Sequence, residues 1–149
     1  MKVQKLNVLI VESNRFLLSI LQETFKSDWN VTLASNGLEA MDLLERGLPV
    51  DCIITDLKLP KFNGLELIRM VRQTGRHQAV PILALSDSGD SATRIQSLEN
   101  GADDCMAKPF NPLEVRAKIR AMLRRSGNAL TRITKSGSAD FQTVRFTRF

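Results

Sequence analysis

The stretch "VLIVESNRF", residues 8–16, decides the fold. Four consecutive apolar, β-favouring residues show no polar alternation, so the strand they form is covered on both faces. Such a strand belongs to a parallel sheet with crossover helices above and below it. The run then stops at Glu12 and Ser13, an acid and a hydroxyl at the mouth of a buried strand.

The same reading extends along the chain. Short apolar runs at "LNVLIVE", "NVTLAS", "VDCIITD", "VPILALS" and "DCMAK" predict strands. Between and after them, "RFLLSILQETFK", "GLEAMDLLERG", "GLELIRMVRQT", "SATRIQSLENG" and "PLEVRAKIRAMLRR" carry apolar residues at helical spacing. Five strand-helix units joined by right-handed crossovers make a doubly wound α/β sheet. Gly47, Gly75 and Gly101 stand where helices should stop, and Pro112 where the last should start. After Arg125, residues 126–139 turn polar and rich in Gly and Ser, the composition of a linker, and residues 140–149 alternate again like a strand. Residues 1–125 are thus read as one domain.

Composition narrows the function. A chain of 149 residues, 43% hydrophobic, can bury a core of its own. It has no apolar run long enough to span a bilayer, and "MKVQKLNVLIVE" reaches a charge too early for a signal peptide, so a cytoplasmic protein is expected. Cys52 and Cys105 both fall within strand patterns and read as buried free thiols. The net charge of +5 is concentrated at the end, where residues 126–149 hold 4 Lys and Arg against 1 Asp. That is a basic tail rather than a nucleic-acid surface.

In an open parallel sheet the ligand site lies beyond the carboxyl ends of the strands, where the winding reverses. Those ends carry Glu12 and Ser13, then Asp56, then Ser86 and Asp87, then Lys108 and Pro109. Carboxylates gather a hard divalent cation such as Mg²⁺, while a lysine and a hydroxyl hold phosphoryl oxygens. "ESNRF" contains no glycine, which argues against a dinucleotide or P-loop phosphate cradle. The single histidine, His77, reads as a solvated loop residue, so neither a hydrolase triad nor a zinc site has support.

Together "VLIVES", "VDCIITDLKLPKFNGLELIRMVR", "VPILALSDSGD", "GADDCMAKPF" and "PLEVRAKIRAMLRR" resemble the receiver domain of two-component response regulators, without gaps over residues 6–125. The resemblance implies a flavodoxin-like fold with five parallel strands and five helices. It implies Asp56 as phosphoacceptor, Ser86 as switch hydroxyl, Lys108 as phosphate-binding lysine, and Pro109 in a cis Lys-Pro bond. Pro60 and Gly64 match the loop after the acceptor strand. Mg²⁺ would be held by Glu12, Asp56 and the backbone carbonyl of Lys58, and a sensor histidine kinase would donate the phosphoryl group, so the chain is not an enzyme with a separate substrate.

Three residues depart from the family pattern. Where the family has a second acid after the first strand, Ser13 stands, and a neutral hydroxyl is a poor Mg²⁺ ligand. Asp87 follows the switch serine where a small residue is usual, placing an anion beside the phosphoryl path or offering the metal a substitute charge. Cys105 takes the place of the aromatic ring that swings inward on activation. Weak metal binding and weak phosphorylation are expected.

The segment "GADDCMAKPFNPLEVRAKIRAMLRRSG" is similar to that of the winged-helix, OmpR-like transcription regulators, which dimerise through the fourth helix, fifth strand and fifth helix. Arg94, Glu99, Asp103, Asp104, Lys118 and Arg120 occupy the charged positions of that face. "TVRFTRF" looks like the opening strand of a winged-helix effector, so DNA would be contacted only through a domain incomplete here; a stand-alone receiver with an aromatic tail is the other reading. In function, the alternative to a phosphorylatable receiver is a pseudo-receiver that dimerises and binds partners without phosphorylation. A phosphatase on the same fold is disfavoured, because Asp56-Leu57-Lys58 lacks a second carboxylate.

Overall fold

A computed structural model describes residues 5–126. The expected linker beyond Ser126 and the segment 140–149 lie outside the described residues. The elements run β1 (Leu6–Val11), α1 (Arg15–Phe25), β2 (Trp29–Ala34), α2 (Gly37–Glu45), β3 (Cys52–Asp56), α3 (Gly64–Gln73), β4 (Ile82–Ser86), α4 (Ser91–Glu99), β5 (Asp104–Ala107) and α5 (Pro112–Ser126). All five strands are parallel, in the order β2-β1-β3-β4-β5. The winding therefore reverses between β1 and β3, the neighbours whose carboxyl ends carry Glu12, just past β1, and Asp56.

Side-chain alternation divides the sheet between two cores. On one face Val8, Ile10, Cys52, Ile54, Leu83, Leu85 and Met106 pack against Leu21 and Phe25 of α1 and Val115, Ile119 and Leu123 of α5. On the other, Leu9, Val11, Ile53, Ile82, Ala84 and Cys105 meet Ala40 and Leu44 of α2 and Leu67, Ile68 and Val71 of α3. This double burial explains the unbroken apolar runs of β1, β3 and β4. Cys52 and Cys105 are free and buried. Burial and the nearby Asp51 charge push the Cys52 thiol far up, so it stays protonated.

Helix starts are marked by short polar side chains. Asn14, Asn36 and Asp90 accept backbone N–H bonds from Leu17, Glu39 and Thr93. Asn63 and Glu66 form a reciprocal capping box on α3. These caps keep the loops at the carboxyl edge of the sheet short and fixed.

Several boundaries differ from expectation. Val50 and Asp51, and likewise Val80 and Pro81, precede their strands. At Gly47 and Gly101, with φ of +93° and +121°, helices end as glycine permits, but α3 already leaves the helix at Thr74, which is extended, so Gly75 is not the stop. His77 is 8% exposed rather than solvated, and the Val80 N–H donates to its carbonyl at 3.2 Å. The last helix runs through Ser126, one residue beyond the predicted domain end.

The loop after β3 is bound to the start of α2. The Leu38 N–H donates to the Lys61 carbonyl at 2.9 Å and the Gly37 N–H to that of Pro60 at 3.4 Å. A Cβ on Gly37 would strike the Phe62 carbonyl oxygen, so only glycine allows this approach. Lys61 and Phe62 both adopt positive φ, +50° and +85°, in this loop.

Candidate functional site

Glu12, Asp56, Ser86 and Lys108 converge on the carboxyl edge of the sheet, and the first three are buried. The Lys108 ammonium joins them: its Nζ lies 3.0 Å from Asp56 Oδ2 and 3.1 Å from Glu12 Oε1. A third carboxylate, Asp87 Oδ1, lies 3.7 Å away and is largely exposed. Lys108 is placed by β5 and by the cis peptide bond to Pro109, as the resemblance implied. Its own N–H donates to the Ser86 carbonyl at 2.8 Å.

Glu12 is held by its immediate sequence. The Asn14 N–H donates to Oε2 at 3.1 Å, and Lys108 reaches the same oxygen at 3.3 Å. Oε1 is buried and makes no hydrogen bond, since the neighbouring ammonium is close but poorly aligned. Burial first, and the Asp56 charge second, raise the Glu12 carboxyl above its ordinary value, against the Asn14 and Lys108 bonds. Burial pulls the Lys108 ammonium down, but Asp56 and Glu12 outweigh it and raise it on balance.

Asp56 receives the Lys58 N–H on Oδ1 at 3.4 Å. The chain turns back sharply beneath it, with Gly64 N–H donating to the Leu57 carbonyl at 2.9 Å. A Cβ on Gly64 would run into the Asp56 carbonyl oxygen, which explains the glycine.

The switch position has a partner of its own. Ser86 Oγ donates to the Ser88 carbonyl at 2.9 Å and accepts the Ser88 N–H at 3.0 Å. The hydroxyl is thus turned into the β4–α4 loop. Ser13 is exposed and adds no charge to the site. Cys105 is buried in the second core, on the strand that α4 packs against.

The donor set suits a divalent cation in part. Glu12 Oε1, a buried carboxylate oxygen without a hydrogen bond beside Asp56, is what a hard cation takes. Asp87 does not complete the set: among the described residues no three carboxylate, thiol or imidazole groups gather closely enough to hold a metal. The charged neighbour of Asp87 is the lysine.

The Asp56, Lys108 and Glu12 geometry on a parallel sheet has known counterparts. The family described as "Response regulator receiver domain" matches residues 8–120. This chain belongs to that family. Among curated relatives of this receiver, the transcriptional regulatory protein CpxR of Escherichia coli (strain K12) is 41% identical over 120 residues, covering 80% of this chain and 50% of the relative. The alkaline phosphatase synthesis transcriptional regulatory protein PhoP of Bacillus subtilis is 38% identical over 120 residues, covering 80% of this chain and 49% of the relative. The receiver chain thus spans about half the length of these relatives. The receiver domain of Francisella response regulator 1452 shares the fold, with a TM-score of 0.75 at 24% identity over 82% of this chain and 99% of that one.

The charged positions of the expected dimer face divide. Arg94 and Glu99 are exposed on α4 and form no ion pair among the described residues. Lys118 and Asp104 pair with each other at 3.0 Å. Asp103 is tied to Arg72, and Arg120 faces Asp28 at 3.7 Å.

Sequence reasoning missed Ser88 and Asn14. The S-x-S spacing in "SDSGD" and an Asn just before a helix were the available signals. No helix among the described residues is long and apolar enough to cross a membrane.

Proposed function

We propose that this receiver accepts a phosphoryl group on Asp56 from the phosphohistidine of a sensor histidine kinase and passes the change to a transcriptional output. The observation that carries the proposal is the buried Asp56 carboxylate with Lys108 Nζ 3.0 Å from Oδ2. Asp56 supplies the nucleophilic oxygen, and Lys108 is placed to take up charge on the phosphoryl oxygens as the new bond forms. Mg²⁺, held by Glu12, Asp56 and the Lys58 carbonyl, supplies further charge neutralisation when bound. Ser13 leaves that set one carboxylate short, so binding is weak. The chain does not turn over a separate substrate.

Output would run through a homodimer of α4, β5 and α5. Ile95 and Leu98 support this, standing 53% and 41% exposed on α4 beside Arg94 and Glu99. The relatives named as transcriptional regulators are about twice the length of the matched receiver segment, which supports a DNA-binding effector beyond it. A phosphorylation-independent pseudo-receiver is the second reading, favoured by one observation: Ser13, neutral and exposed, stands where the family pattern has a second acid.

The test is exposure to acetyl phosphate across a Mg²⁺ titration, read by intact mass. A label lost in Asp56→Asn supports the proposal; no label at saturating Mg²⁺ favours the pseudo-receiver. Ser13→Asp should tighten Mg²⁺ by about 1 kcal/mol or more, the scale of a hydrogen bond to a charged group.

A further inference from the structure

We infer that Asp87 is an electrostatic brake on phosphoryl transfer to Asp56, acting through Lys108 as a positioning residue. The inference rests on Asp56 being the acceptor. Among the described residues, Lys108 is the only cation within ion-pair distance of Glu12, Asp56 or Asp87, with its Nζ 3.0 Å, 3.1 Å and 3.7 Å from Asp56, Glu12 and Asp87 oxygens. A phosphoryl dianion entering beside Asp56 must draw that ammonium toward itself. Asp87 opposes this in two ways: it attracts the ammonium from the β4–α4 loop, and its own charge repels the dianion.

Placement decides the sign of the effect. With Ser13 neutral and Asp87 anionic, the rim still carries three carboxylates, but the third lies on the lysine side. An acid inside the metal-binding set attracts the cation that assists transfer. Asp87, whose charged neighbour is Lys108, instead restrains the ammonium and repels the phosphoryl group. Since the Asp87 side chain is 56% exposed, solvent screening keeps the effect small, about two- to fivefold in rate.

The measurement is labelling of the full chain by acetyl phosphate with Mg²⁺, followed by intact mass. In each event an Asp56 oxygen forms a bond to phosphorus, the phosphorus–oxygen bond to acetate breaks, and acetate leaves with the electron pair. Asp87→Asn and Asp87→Ala should label about two- to fivefold faster than the parent, while Asp87→Glu stays slow. The advantage of Asp87→Asn should shrink between about 0.05 M and about 0.5 M salt, a dependence that a merely structural role would not show. Equal or slower labelling of the Asn and Ala variants, with label still lost in Asp56→Asn, overturns the brake and leaves the acceptor standing. Label that survives Asp56→Asn, or is absent from every variant, overturns the acceptor reading and the brake with it.

Discussion

Arg72 and Asp103, 31 residues apart, join the end of α3 to the start of β5 through an ion pair of 3.0 Å. The same Asp103 oxygen accepts the Ile82 N–H at 2.8 Å, so the pair also fixes the first residue of β4. Arg72 further donates to the carbonyls of Gly101, Gln78 and Val80. Arg72→Ala would strand several of these acceptors, and a loss of about 2–3 kcal/mol in urea unfolding is expected. Arg72→Lys should recover little, because an ammonium cannot reproduce the planar fork.

Lys61 offers a change in the opposite direction. Its φ of +50° crowds Cβ against the backbone, a conformation glycine adopts freely. Lys61→Gly should therefore stabilise the fold by about 0.5–1 kcal/mol, after the greater freedom of the unfolded chain is subtracted. The denaturation midpoint of the variant checks this.

Glu12 makes stability depend on pH. Its folded value is raised, so the fold favours the protonated form; that contribution is fully present below the ordinary value of 4.5 and is lost as pH climbs through the raised folded value. Glu12→Gln removes the titration. The stability of the variant relative to the parent should rise as pH increases from 4.5 toward neutrality, and level off below it. Thermal midpoints of both proteins across that range supply the comparison; parallel curves would contradict it.

The exposed α4 face sets the last expectation. The unmodified chain should associate through α4, β5 and α5, and Ile95→Glu should weaken the dimer about tenfold or more by placing a charge where an apolar anchor would be buried. Lys118→Glu, which turns the Asp104 pair into a repulsion, should weaken it as well. Sedimentation at several salt concentrations distinguishes this from a chain that pairs only once Asp56 carries a phosphoryl group.

What the sequence revealed, and what it hid, follows from range. The strands were legible because β1, β3 and β4 are buried on both faces, which leaves unbroken apolar runs in the chain. Glu12, Asp56, Ser86 and Lys108 were legible as strand-end residues because a parallel sheet collects its carboxyl ends along one edge. Side-chain direction was not. Nothing local says that Ser86 turns to Ser88, that Asp103 is taken by Arg72, or that Asp87 lies beside Lys108. Edge positions were harder for another reason. Trp29 opens β2 and meets Phe25 edge to face at 5.4 Å, a contact decided by the turn between them rather than by apolar periodicity.

Under the proposed function, the reciprocal pair between Ser86 and Ser88 would also set a threshold for signalling. A hydroxyl that swings toward Asp56 must abandon both bonds and leave the Ser88 N–H and carbonyl to find water. At about 1 kcal/mol per net hydrogen bond, the resting arrangement outweighs the swung one by roughly tenfold or more before any phosphoryl group arrives. Spontaneous excursions are thereby kept rare, and a stimulus must exceed that bias before the loop responds. Two ordinary hydrogen bonds within a three-residue turn would thus filter background noise in the proposed circuit.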